Sequence, residues 1–206
     1  MNGFGFDYQF VAGKSAQTLL LLHGTGGDEH DLLPLGRALD ENAALLSPRG
    51  KVLEGGAPRF FRRMAEGVFD EADIVARAQE LAQFIGAASR EHQLELDNMT
   101  AVGYSNGANI ASAVMLLGFA QFTGAILFRP MVPFSRPRRA NLQEKRVLIS
   151  AGLFDPIATS KQVESLAELL READAEVAVV TQRSGHELIA ADLENARDWL
   201  ASAAIA

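Results

Sequence analysis

The chain has 206 residues, 48% of them hydrophobic and 22% charged, a size and balance that suit one folded domain with a substantial core. Its formal net charge of −7 speaks against a partner held by phosphate neutralisation, so no nucleic acid is expected. It contains no cysteine, which excludes disulfides, thiolate metal sites and cysteine nucleophiles and suits a reducing cytoplasm.

The first residues lack the basic-then-apolar pattern of a secretory leader, and no apolar run reaches membrane-spanning length. A cytoplasmic protein without membrane insertion is the expectation. Residues 6–11 predict an edge strand. Thr-Leu-Leu-Leu-Leu at 18–22 is continuously apolar, the mark of a strand buried on both faces of a parallel sheet. It runs into His23-Gly-Thr-Gly-Gly27. Residues 28–31 then offer caps for a helix with Leu32, Leu35 and Leu39 on one face. A third strand over 43–47 is closed by Pro48-Arg49-Gly50. Residues 51–70 read as a long, glycine-rich irregular segment, and connections of that length are usually functional or disordered. Phe60, Phe61, Met64 and Phe69 within it argue against disorder.

Ile74, Ala78, Leu81, Ile85 and Ala88 recur at helical spacing and predict a helix over 71–90. A strand over 99–102 follows, then Gly103-Tyr104-Ser105-Asn106-Gly107, then an almost wholly apolar helix over 108–119. Strands over 123–128, 146–150 and 176–181 alternate with helices marked by Val163, Leu166, Ala167 and Leu170 and by Ile189, Leu193, Ala196 and Leu200. This alternation predicts an α/β architecture: a mostly parallel, doubly wound sheet flanked by helices.

Gly103 to Gly107 fits G-x-S-x-G, a turn that lifts a serine oxygen off the end of a strand and opens a helix. The glycines remove side chains that would collide as strand and helix close on each other. Ligands gather at the carboxyl ends of strands in such sheets. Ser105, Asp155 and His186 each follow a strand there, in the order of the α/β-hydrolase triad. Ser105 would attack a carbonyl, His186 would carry its proton, and Asp155 would orient the imidazole. Backbone amides of Thr25 and Asn106 would hold the oxyanion. The same residues have plainer uses. Ser105 could cap a helix, Asp155-Pro156 could simply make a turn, and His186 could cap the last helix. His23 reads as orienting the glycine loop rather than reacting.

Four segments carry a family resemblance: Leu-Leu-His-Gly-Thr-Gly-Gly, Gly-Tyr-Ser-Asn-Gly-Ala, Ala-Gly-Leu-Phe-Asp-Pro-Ile and Ser-Gly-His-Glu-Leu. With them the chain resembles the phospholipase/carboxylesterase family of α/β hydrolases, which includes small carboxylesterases and acyl-protein thioesterases. Phe-Arg-Pro-Met-Val-Pro at 128–133 is similar to one subgroup of the esterases. The resemblance implies a compact α/β-hydrolase fold, a small ester as substrate, no metal or organic cofactor, and in some members a homodimer. Acyl-protein thioesterases usually carry Gln after the nucleophile, and Asn106 stands here, which favours a plain carboxylesterase over a protein-deacylating role. A thioesterase or lysophospholipase-type acyl hydrolase, or a non-catalytic ligand-binding module of the same fold, are the alternatives.

No large insertion follows the 123–128 strand, so no separate cap domain is expected, and specificity falls to residues 51–70 and 129–139. Phe60, Phe61, Met64 and Met131 are the expected substrate contacts, with Arg59, Arg62 and Arg63 at the rim. Arg129, Arg136, Arg138 and Arg139 read as a solvated basic face.

Overall fold

The computed structural model describes residues 5–135 and 140–203. Seven strands form the central sheet: β1 (Tyr8–Val11), β2 (Thr18–Leu22), β3 (Ala44–Pro48), β8 (Met99–Tyr104), β9 (Gly124–Phe128), β10 (Arg146–Gly152) and β11 (Glu176–Gln182). Their order across the sheet is β1-β3-β2-β8-β9-β10-β11. Only β1, paired with β3, runs antiparallel; all other neighbours are parallel.

Strand alternation divides the core into two layers. Leu20 and Leu22 of β2 point to one face, and Leu19 and Leu21 to the other. The first face is covered by α2 (Glu71–His92), α3 (Asn106–Leu116) and α4 (Ser160–Glu172), which bring Ile74, Leu81, Ile110, Val114, Leu166 and Leu170 into it. The second carries α1 (Leu33–Leu39) and α5 (Ala190–Ala203), with Leu39 and Ala196. Helix α3 packs beside β8 at the centre, and every one of its residues is buried, which explains why its sequence shows no polar face.

Local chemistry sets the ends. Asp70 caps α2 by accepting from the Asp73 amide, and Gln93 closes it in the left-handed region at φ 56°, with Arg90 and His92 favourably placed in the last turn. The first helix differs from expectation. It starts only at Leu33, with Pro34 in its first turn and no side-chain cap, because Asp28 turns back to accept from the His30 amide.

Residues 51–70 also differ. Instead of an irregular loop they form two small antiparallel hairpins, β4 (Val52–Glu54) with β5 (Ala57–Arg59), and β6 (Arg63–Ala65) with β7 (Val68–Phe69). Gly55, Gly56 and Gly67 supply the positive φ that such tight turns require. The hairpins follow β3 at its carboxyl end, and among the described residues no separate cap domain covers that edge.

Candidate active site

Ser105 lies between β8 and α3 at φ 52°, ψ −113°, a conformation that costs a non-glycine residue on the order of 1–3 kcal/mol. The surroundings enforce it. The Ser105 amide donates to Phe128 O at 2.9 Å, and its carbonyl accepts from the Asn109 amide at 3.0 Å. A Cβ on Gly107 would sit 1.9 Å from Leu22 O, and one on Gly103 would meet the Ala108 backbone at 2.6 Å. The serine side chain makes no capping bond, so its hydroxyl is not used by the helix.

That hydroxyl meets His186. Ser105 Oγ lies 2.9 Å from His186 Nε2, and His186 Nδ1 lies 2.7 Å from Asp155 Oδ2. Asp155 is buried, and its other oxygen accepts from the amides of Ile157 and Ala158 at 2.8 and 2.9 Å. The turn role and the histidine contact therefore use different oxygens of one carboxylate. An ionised carboxylate only accepts, so Nδ1 carries the proton and Nε2 is left to accept from the serine hydroxyl. Tyr104 supports the loop from below, donating its hydroxyl to His186 O at 3.1 Å.

One functional neighbour escaped the sequence reading. Arg129 is not solvated but fully buried, at φ 52°, and forms a paired contact with buried Asp192 at 2.7 and 2.9 Å. It also donates to Gly185 O, Glu187 O and Ser184 Oγ, the residues flanking His186, and to Ser150 O. Asp192 further accepts from Ser150 Oγ and from the Ile189 amide. The usable signal was position: Arg129 immediately follows the all-apolar β9, where a solvated arginine is out of place. Arg136, Arg138 and Arg139 lie outside the described residues.

Thr25 and Asn106 flank Ser105 in one cleft. Among the described residues, neither backbone amide donates to a protein acceptor. The Asn106 side chain is committed at one end only, its Oδ1 accepting from the Phe60 amide at 2.7 Å, while among the described residues its buried Nδ2 has no partner. The glycine loop is pinned from behind. His23 is buried, its Nδ1–H donating to Gly24 O at 2.6 Å and its Nε2 accepting from the Gly50 amide at 2.9 Å. Burial lowers its pKa from the ordinary value, opposed by the Gly24 hydrogen bond, and the neutral ring is what this pair of contacts needs. Among the described residues, His23, Asp28, His30 and Asp31 form no group that could hold a metal ion.

The cleft at Ser105 measures about 260 Å³. Met131 and Phe69 line it, but three other expected contacts do not. Phe60 and Phe61 belong to the core at 3% and 0% exposure: after β5 the chain turns inward, the Phe60 ring packing on His23 and Phe61 edge-on to Phe69. Met64 is 74% exposed, because strand neighbours point to opposite faces and Arg63 takes the face toward the cleft. Arg62 lies outside the wall, paired with Asp70.

Arg59 was expected at the rim and instead is buried in the cleft wall, donating from Nη1 to Thr25 Oγ1 at 2.6 Å. Burial, then the charge of Arg63, push its pKa down from the ordinary arginine value, with Glu54 opposing. A larger, open groove of about 650 Å³ runs alongside, sharing Gly67 and Phe69 with the cleft and continuing past Val132 and Leu169.

Comparison with known proteins places the fold among hydrolases. A family model described as Phospholipase/Carboxylesterase matches residues 9–204. MhqD of Bacillus subtilis (strain 168), whose name places it among hydrolases, is 47% identical over 196 residues, covering 95% of this chain and 98% of its own. The Bacillus cereus carboxylesterase structure is 45% identical with a TM-score of 0.94, over 98% of this chain and 96% of that one. YahD, solved with malic acid, is 30% identical with a TM-score of 0.91, over 96% of this chain and 98% of its own.

Proposed function

Because the chain belongs to the phospholipase/carboxylesterase family of hydrolases, we propose that it is a serine carboxylesterase acting on small or medium-sized esters through Ser105, His186 and Asp155. His186 Nε2 takes the hydroxyl proton as Ser105 Oγ bonds to the substrate carbonyl carbon. The carbonyl oxygen becomes an oxyanion held by the Thr25 and Asn106 amides. Collapse of that adduct breaks the ester C–O bond, and His186 returns the proton to the departing alcohol. Water, deprotonated by the same imidazole, then frees the acid and restores Ser105. Asp155 holds the ring in the tautomer that both steps need and stabilises its charged form.

The observation that carries this reading is the unbroken Ser105–His186–Asp155 hydrogen-bond chain, with both nitrogens of one imidazole engaged at 2.9 and 2.7 Å. The cleft volume suits a short substrate. Malic acid, named in the YahD structure, is a small carboxylic acid, the class of product that ester cleavage releases. The test is labelling with a fluorophosphonate together with hydrolysis of chromogenic short-chain esters. Ser105→Ala should lose both while its thermal midpoint stays near the parent's. Undiminished turnover in the pure variant would sink the mechanism.

A thioesterase or lysophospholipase reading draws on the adjoining 650 Å³ groove, which would accept a longer acyl chain. Matched ester and thioester pairs of rising chain length decide between the two. An optimum at long thioesters would select it.

A further inference from the structure

The cleft at Ser105 carries a charge pattern that ester hydrolysis does not itself require. Arg59 and Arg63 both line it, from β5 and β6 of the two hairpins. They share a single carboxylate. Arg63 Nε donates to both oxygens of Glu54 at 2.8 and 3.1 Å, and Arg59 Nε lies 3.2 Å from Glu54 Oε2. Two guanidinium groups against one carboxylate leave one positive charge uncompensated. Arg59 is 2% exposed, so its charge acts across little water. Among the described residues, Nη1 and Nη2 of Arg63 have no hydrogen-bond partner, since only its Nε faces Glu54. Glu66 also lines the cleft, but it is exposed at the mouth, where water and salt screen it.

A buried arginine in the wall of a reaction cleft costs desolvation energy, and a core residue or a lysine rim would have closed the wall more cheaply. Arginine's planar fork matches a carboxylate, taking it through two parallel N–H bonds. Resting on the esterase reading above, we propose that Arg59 and Arg63 form a carboxylate-recognition subsite, and that the preferred substrates are esters carrying a second, free carboxylate, such as half-esters of short dicarboxylic acids. The Arg59–Thr25 contact ties this subsite to the loop that supplies an oxyanion donor. The anion is thus recognised beside the reacting carbonyl. The small cleft keeps the two carbonyl carbons a few bonds apart.

The experiment compares kcat/KM for monoethyl succinate and ethyl pentanoate, matched in chain length and differing in charge, by pH-stat. The parent should favour the half-ester by at least about 10-fold. Arg63→Met, at a partly exposed position whose loss the fold should tolerate, should shrink that ratio by about 10-fold, mainly through KM on the half-ester, with fluorophosphonate still reacting at Ser105. Calorimetric binding of succinate to the parent and to Arg63→Met gives a readout that needs no turnover, and the variant should bind at least about 5-fold more weakly. A parent that prefers the neutral ester, or a ratio and succinate affinity unmoved by Arg63→Met, overturns the subsite while leaving the esterase reading intact. Loss of all labelling and turnover in the parent overturns the esterase reading instead, and the calorimetry alone then decides whether the subsite takes a carboxylate.

Discussion

Replacing Asp192 by asparagine removes one negative charge from a site where both partners have no solvent exposure at all. The geometry leaves the amide no good orientation. Asp192 Oδ2 receives Arg129 Nη2 and the Ile189 amide, both obligate donors, so an NH₂ placed there would face two N–H groups. Placed at Oδ1 it faces Arg129 Nη1 and Ser150 Oγ, of which only the hydroxyl can turn to accept. Every choice strands part of a buried guanidinium. Breaking a buried ion pair from one side costs about 3–5 kcal/mol, and for a domain of this size each kcal/mol lowers the midpoint by roughly 2–4 °C. Asp192→Asn should therefore melt about 6–20 °C below the parent, and added salt should not reproduce the loss, because no ion reaches the pair.

The same change tests whether Arg129 positions His186. Its donors hold the carbonyls of Gly185 and Glu187 on either side of that residue. Misplacing a reacting group by about 1 Å costs up to ~10²-fold in rate, so kcat/KM should fall about 10- to 100-fold at a temperature where the variant is fully folded by circular dichroism. A midpoint within about 2 °C of the parent would refute the buried-pair reasoning. A large thermal loss with kcat/KM unchanged would keep the pair as scaffold and refute its hold on His186.

Two further outcomes follow from the wall of the cleft and from His23. Phe60→Ala should lose about 3–5 kcal/mol with the ranking of acyl chain lengths unchanged, whereas Met131→Ala should reorder that ranking within the ~1–3 kcal/mol available to one apolar contact. The reverse pattern, read from melting curves and an ester panel, would return Phe60 to the pocket. Burial holds the folded-state pKa of His23 below its ordinary 6.5, so in the window beneath 6.5 the unfolded chain binds the extra proton and the folded one does not. His23 thus contributes stability that is present above that value and is lost as pH falls toward the lowered folded pKa. The midpoint should drop more steeply on acidification in the parent than in His23→Gln, and equal slopes between about pH 7.5 and about pH 5 would refute the assignment.

What could be read from the residues is what short range determines. The run of leucines in β2 announces burial on both faces, because each side chain must find an apolar layer whichever way it points. Gly103 and Gly107 announce the elbow, because their absent side chains are required by contacts within one strand–turn–helix unit and with the strand beside it. Chain order then suffices to bring Ser105, Asp155 and His186 to one edge of a mostly parallel sheet, where β8, β10 and β11 all end. The residues that sequence misplaced depend on facts no local pattern carries. Phe60 and Phe61 are buried because the turn between two hairpins faces inward, and the same composition on an outward turn would have lined the cleft. Arg129 looked like a member of a basic stretch, and its partners lie 21 to 63 residues away in the chain. Charge is the harder signal for the same reason. An apolar side chain needs only an interior, but a buried arginine needs particular acceptors, and only the tertiary fold reveals whether Gly185 O, Glu187 O and Asp192 are waiting for it. Arg59, in the cleft wall, finds Phe61 O and Thr25 Oγ1 as acceptors but shares the Glu54 carboxylate with Arg63, and that shared charge makes it a site for a ligand anion where Arg129 is a strut.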